Sequence, residues 1–241
     1  MKASSCWPIV AAFSCALSCY GATILVMRTD DGILVAADSK VIRQGSNPPP
    51  RCKIHQYGKV FVAVASAGKN ESTALEMERI AGTAAATKGP LQSKVEAFAN
   101  VARKSLLADV ESQKKSNPAN FQQAYLGKRI LDVTFASVEG PKPEAVVETF
   151  FVDGAGVLHD LPSPLAGHRL LVTGRTSTIK SYTDRNTGWY EQLGPETAIK
   201  KFVELEILAE KDAVGPPISI LKLDAGGAHW IAAGACPAIR N

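Results

Sequence analysis

The chain contains no block of clustered Lys or Arg with interleaved aromatics. Its 27 basic side chains face 23 acidic ones, and aromatics make up only 7%. That pattern excludes a nucleic-acid-binding reading. No apolar run is long enough to span a bilayer stably, which excludes a multi-span membrane protein. The four histidines, His55, His159, His168 and His229, lack metal-ligand spacing, so they read as surface or satisfied core residues and no metal is expected. There is no GxSxG, P-loop or GxGxxG motif, and no cofactor is expected. Internal repeats, linkers and low-complexity tracts are missing too. The charged fraction of 21% is that of an ordinary folded chain, which excludes wholesale disorder. A length of 241 residues suits one well-buried domain.

Cysteine is scarce and unevenly placed. Three of the five, Cys6, Cys15 and Cys19, lie in the first 19 residues. This stretch carries one basic residue, Lys2, then an apolar run from Trp7 to Leu17, then small residues, with no acid before Asp30. It reads as a secretory signal over residues 1–22, cut near Gly21-Ala22-Thr23, which leaves a single domain over 23–241 in the periplasm or outside the cell. A lipoprotein cut at Cys19 is the weaker reading, because Ala16-Leu17-Ser18-Cys19 only loosely matches a lipobox. Two cysteines remain, Cys52 and Cys236, either bridged or as buried free thiols.

The mature chain opens with two apolar runs, Ile24 to Arg28 and Ile33 to Ala37, around the turn Asp30-Asp31-Gly32. They read as a β-hairpin. Val60 to Ala65 reads as a strand. Asn70 to Thr87 and Leu91 to Lys114 read as helices, the second with Val95, Phe98, Ala102 and Leu106 at spacings of three and four. Strands return at Ile130–Val138, Val146–Asp153, Val157–Leu161 and Arg169–Thr173. A short helix is expected near Thr176–Thr183, and a stronger one over Glu196–Lys211 behind Pro195. Strands Ile218–Leu223 and Ala228–Ala232 close the chain. Clustered strands with paired helices between them point to an α+β fold, a four-layer αββα sandwich of two antiparallel sheets flanked by helices. A doubly wound sheet fits less well, since strands and helices do not alternate one for one.

Three polar residues stand out as candidates for chemistry. A cut after Ala22 makes Thr23 the first residue, and an N-terminal Thr can use its own α-amine as base for its hydroxyl. Such an amine has a pKa of about 7.7–8.0, suited to neutral pH. Asp38 ends an apolar strand, where a carboxylate must be paired or solvated. Lys53 follows the proline-rich loop at 44–50. Beside Thr23 it would favour the neutral amine, with Asp38 holding it in place. A Ser39–Lys53 hydrolase is a poorer candidate.

The run TILVMRTDDGILVAADSK resembles the opening hairpin of proteasome β-type subunits and of the related bacterial ATP-dependent peptidase. The resemblance continues, in order, through Lys53, Ala65-Ser66-Ala67-Gly68, Phe151-Val152-Asp153-Gly154-Ala155-Gly156, Val172-Thr173-Gly174 and Lys211-Asp212-Ala213-Val214-Gly215. It implies an N-terminal nucleophile hydrolase acting on a peptide or small amide, without cofactor. Thr23 would be the nucleophile, Asp38 and Lys53 would tune the amine, Asp212 would buttress the nucleophile, and the Gly68 N–H would stabilise the oxyanion. It also implies self-assembly into rings. Aligned without a gap from Asp38, Ala22 falls on the nucleophile position and Thr23 on the next. Either the hairpin is one residue shorter, or the chain is a non-catalytic relative with an assembly or binding role. The family's serines are replaced by Gly174 or Arg175 and by Gly215.

Overall fold

The computed structural model describes residues 22–42, 48–65, 71–167 and 169–240. Of the signal expected over residues 1–22 all but Ala22 lies outside them, as do the oxyanion role of Gly68 and His168. Among the described residues ten strands form two antiparallel five-stranded sheets. The first sheet has the order β10-β9-β2-β1-β8, built from β1 (Thr23–Arg28), β2 (Gly32–Asp38), β8 (Leu170–Gly174), β9 (Ile218–Asp224) and β10 (Gly227–Ala232). The second has the order β3-β4-β5-β6-β7, from β3 (Ile54–Tyr57), β4 (Val60–Ala65), β5 (Lys128–Ser137), β6 (Glu144–Val152) and β7 (Leu158–Pro164).

The apolar runs of β1 and β2 have a direct cause. Both strands lie inside their sheet, and each of their faces is covered. Ile24, Val26, Val35 and Ala37 pack between the sheets against Phe61, Ala63 and Val147. Leu25, Met27, Leu34 and Ala36 pack on the other face against α6 (Pro195–Ala209), which contributes Ile199, Phe202 and Val203. Strands buried on both sides read as continuous apolar runs rather than as alternation.

Helices α1 (Glu71–Ala85) and α2 (Leu91–Ser116) cover the outer face of the second sheet. The buried stripe of α2 is Leu91, Val95, Phe98, Ala102, Leu106 and Val110, at helical spacing. Phe98 meets Phe135 and Phe150 beneath it, with centroids 5.5 and 6.1 Å apart. Lys94 is buried, and its ammonium donates to the carbonyls of Ala85 and Thr87, closing the C-terminal end of α1. Helices α4 (Ser177–Arg185) and α5 (Trp189–Leu193) join α6 on the first sheet.

The sequence reading omits β3, α3 (Pro118–Ala124) and α5. Each is short and takes its order from packing. Phe121 of α3 stacks on Tyr125 at 5.6 Å, and Trp189 of α5 meets Phe202 at 4.9 Å. The open question about the two cysteines resolves to a bridge, Cys52–Cys236, with Cα atoms 4.5 Å apart. The C-terminal tail is held a second way, because Gln56 donates to the Arg240 carbonyl and accepts from the Arg240 N–H.

One core acid is out of register with its surroundings. Glu148 of β6 is 1% exposed, on the strand face that carries Val146 and Phe150 toward α2. Its Oε1 has no hydrogen-bond partner. Burial, then the nearby Asp160 carboxylate, push its pKa up to about 7, with Arg103 opposing. The folded pKa lies above the ordinary value of 4.5. The stability it allows is therefore complete below about pH 4.5 and lost as pH rises through about 7. Glu148→Gln is expected to match the parent near pH 4 and to exceed it by about 3 kcal/mol at pH 8. Chemical denaturation at both pH values checks this, and an equal difference at both would refute it.

Candidate functional site

The register of the opening hairpin decides what faces what. Ile24 pairs with Ala37 and Leu25 with Ala36, so Thr23 lies across from Asp38 at the strand ends. On the other side Thr23 pairs with Gly174 of β8. Thr23 is thus the first residue of a central strand, flanked by two neighbours.

Asp38 is the hub of the cluster and is fully buried. Its Oδ1 accepts from the Thr23 N–H at 2.9 Å and from the Lys53 ammonium at 2.8 Å. Its Oδ2 accepts from the N–H groups of Lys40 and Gly215, each at 3.1 Å. The backbone of Ser39 fastens the incoming segments. Its N–H donates to the Gly215 carbonyl at 3.0 Å, and its carbonyl accepts from the Arg51 N–H at 2.9 Å. The second bond brings Lys53 to Asp38 from a segment far from β2 in the fold's strand order. Burial pushes the Lys53 ammonium below its ordinary pKa, and the charge of Asp38 partly offsets that. A cleft of about 320 Å³ shares Lys40 and Gly215 with this cluster and is further lined by Val41, Pro50, Ile207 and Pro216.

Thr23 itself is 0% exposed. Its hydroxyl donates to the Arg175 carbonyl at 2.8 Å, while the Arg175 N–H donates to the Ala22 carbonyl, also at 2.8 Å. One residue, Arg175, therefore grips both residues of the expected cut, through its N–H and its carbonyl. Gly174 makes that grip possible: its φ is +78°, and a Cβ there would stand 1.9 Å from the Ala22 oxygen. Ile24 and Val26 point between the sheets with Ala22, whereas Leu25 and Met27 point to the helix side. By this alternation the Thr23 side chain belongs to the helix-side face.

Thr23, Asp38 and Lys53 are brought together, as expected of them. Asp212 is not. It sits exposed in the turn after α6, although the next two residues, Ala213 and Val214, are already buried. The segment reaches Asp38 through the Gly215 backbone N–H instead. Ser39 is buried, its Oγ without a hydrogen-bond partner and its backbone in use, so it is not presented as a nucleophile. His55 lies against Glu78, 3.8 Å away, with its pKa lowered by burial. Among the described residues no three His, Cys, Asp or Glu side chains converge on a metal position.

Two further buried acids reach this region and were not singled out from sequence. Asp132 of β5 accepts from the Thr149 hydroxyl at 2.7 Å and from the Gly174 N–H at 3.4 Å, with Arg129 at 3.3 Å. Burial raises its pKa against those three favourable partners. Glu206 of α6 accepts from the N–H groups of Thr178 and Ile179 at 2.7 and 2.8 Å. A usable signal existed for both. Asp132 interrupts an apolar strand, and Glu206 falls on the same helical stripe as Ile199 and Val203. No protein-family model matches the chain, and no curated protein matches it significantly.

Proposed function

We propose that the chain is an exported, proteasome-like threonine hydrolase of the N-terminal nucleophile class, cleaving peptide or small amide bonds. The observation that carries this reading is the buried Asp38 carboxylate, which holds both Lys53 and the nitrogen of Thr23 within 2.9 Å. A buried ion pair is weak as a stabilising device, so its place at a strand end beside a hydroxyl argues for chemistry.

In the uncut chain the Thr23 nitrogen is an amide and has no basic lone pair. Scission between Ala22 and Thr23 turns it into an amine, and loss of Ala22 removes the acceptor of the Arg175 N–H. The Thr23 hydroxyl proton then turns from the Arg175 carbonyl to the new amine, while the Arg175 segment keeps Oγ1 in place. The amine takes the hydroxyl proton as Oγ1 attacks the substrate carbonyl carbon, and the same proton passes to the leaving amine. Water then hydrolyses the resulting Thr23 ester, releasing the acid and restoring the hydroxyl. Lys53, positive and close, disfavours protonation of the amine and keeps it a base.

N-terminal sequencing of the exported protein tests the first requirement, and Thr23 is the expected first residue. A chain beginning at Ala22, Tyr20 or a lipidated Cys19 would sink the mechanism. Thr23→Ala is expected to abolish turnover of a panel of fluorogenic peptides, and unchanged turnover refutes the assignment. Ring assembly belongs to the same reading and is checked by light scattering.

A second reading rests on a specific observation. Thr23 is fully buried with its hydroxyl engaged, and Ala22 holds the position facing the inter-sheet core. On this reading the chain keeps the fold and the ion pair but serves in assembly or binding. The two readings part at Thr23→Ala, which leaves every function of a silent protein intact.

A further inference from the structure

The segment from Gly174 to Ile179 runs from the end of β8 into α4, with Arg175 as its second residue. It is gripped from two directions by carboxylates that come from elsewhere in the fold. From the opposite sheet, Asp132 receives the Gly174 N–H. The Ala22 carbonyl takes the Arg175 N–H on the β1 side, so this Gly174 donor lies on the free edge of β8, where it would otherwise lack a partner. From α6, Glu206 receives the Thr178 and Ile179 N–H groups at the start of α4. Thr176 makes no side-chain cap there, so Glu206 satisfies the helix terminus in its place. Both acids are almost completely buried, at 3% and 0% exposure. Between these anchors stands Arg175, whose N–H holds the Ala22 carbonyl and whose carbonyl holds the Thr23 hydroxyl.

We propose that Asp132 and Glu206 are positioning residues for Thr23, acting through the backbone of Gly174–Ile179. The proposal rests on the hydrolase reading for its catalytic consequence, but not for its structural one. Neither acid touches Thr23. Each fixes one end of a short segment, and the placement of the Arg175 carbonyl follows from both ends together. Loss of either anchor lets that carbonyl shift and changes the rotamer and environment of the Thr23 side chain. Misplacing a reacting group by about 1 Å can cost on the order of a hundredfold in rate.

The test uses the full exported chain with threonine methyls labelled for NMR, assigned at Thr23 through Thr23→Ala. In Glu206→Ala and Asp132→Ala the Thr23 methyl resonance is expected to move. Turnover of the best fluorogenic peptide should fall about tenfold or more in kcat with KM little changed. Glu206→Gln retains an acceptor oxygen and is expected to restore both. If either alanine variant fails to fold, Glu206→Gln and Asp132→Asn replace them. Asp132→Asn is then expected to move the resonance and Glu206→Gln to leave it in place. An unmoved Thr23 resonance in folded Glu206→Ala and Asp132→Ala, or in Asp132→Asn where the alanine variants do not fold, overturns the proposal. A moved resonance with unchanged kcat in an active protein overturns its catalytic consequence. If the parent protein shows no Thr23-dependent turnover, the hydrolase reading fails while the resonance still decides the positioning role.

Discussion

Removal of the Cys52–Cys236 bridge is expected to lower the free energy of unfolding by about 4–5 kcal/mol. The two cysteines are 184 residues apart, so the bridge closes most of the chain into one loop. A cross-link over so long a loop removes a large conformational entropy from the unfolded ensemble. The folded state loses little, because Gln56 exchanges two hydrogen bonds with Arg240 and Trp230 donates to the Pro237 carbonyl, which keep the tail docked. The measurement is chemical denaturation of the parent and of a Cys52→Ala/Cys236→Ala double variant. A loss below about 1 kcal/mol would show that the bridge does not act through the unfolded chain. Thiol titration of the denatured, unreduced protein is expected to detect neither cysteine. Cys52 directly precedes Lys53, so the bridge also ties the segment that delivers the ammonium to Asp38.

Asp38→Ala is expected to cost about 3–5 kcal/mol and to abolish any Thr23-dependent turnover. The substitution strips an acceptor from the Lys53 ammonium and from the N–H groups of Thr23, Lys40 and Gly215, two of them fully buried and two half-buried. A largely buried cation that loses its nearest counter-charge carries more of its desolvation cost uncompensated. The penalty should therefore shrink when the cation is removed as well. The Asp38→Ala/Lys53→Met double variant is expected to be more stable than Asp38→Ala alone, although it lacks one more native contact. If the double variant is the less stable one, the charge account is wrong and the loss belongs to the backbone donors. Asp38→Asn separates the same two contributions, because it keeps an acceptor oxygen and the shape while losing the charge.

Much of the fold was legible because burial on both faces leaves a plain mark. The apolar hairpin before Ala-Ala-Asp, the long α2 stripe and the Pro-started α6 read correctly, since each follows a local period. The omitted elements, β3, α3 and α5, are four to seven residues long, too short for any period to show. The site was legible in part. Thr23, Asp38 and Lys53 carry distinctive side chains in a recognisable run. Arg175, Gly215 and Ser39 contribute backbone groups, which side-chain identity does not reveal. Asp212 illustrates the converse: its segment reaches Asp38, but through an amide rather than through the acid itself.

The amino-acid sequence by itself determined the two-sheet, helix-flanked organisation, the position of the opening hairpin and the identities of the central acid and lysine. These follow from apolar periodicity and from the cost of burying a charge, both of which act along short stretches of chain. Tertiary structure alone decided that Thr23 lies across from Asp38 with its hydroxyl on Arg175, and that Cys52 meets Cys236. It also decided that Asp132 and Glu206 hold the segment between them. Those contacts join residues separated by 15 to 184 positions, and strand register, which no local period encodes, brings them within hydrogen-bond distance.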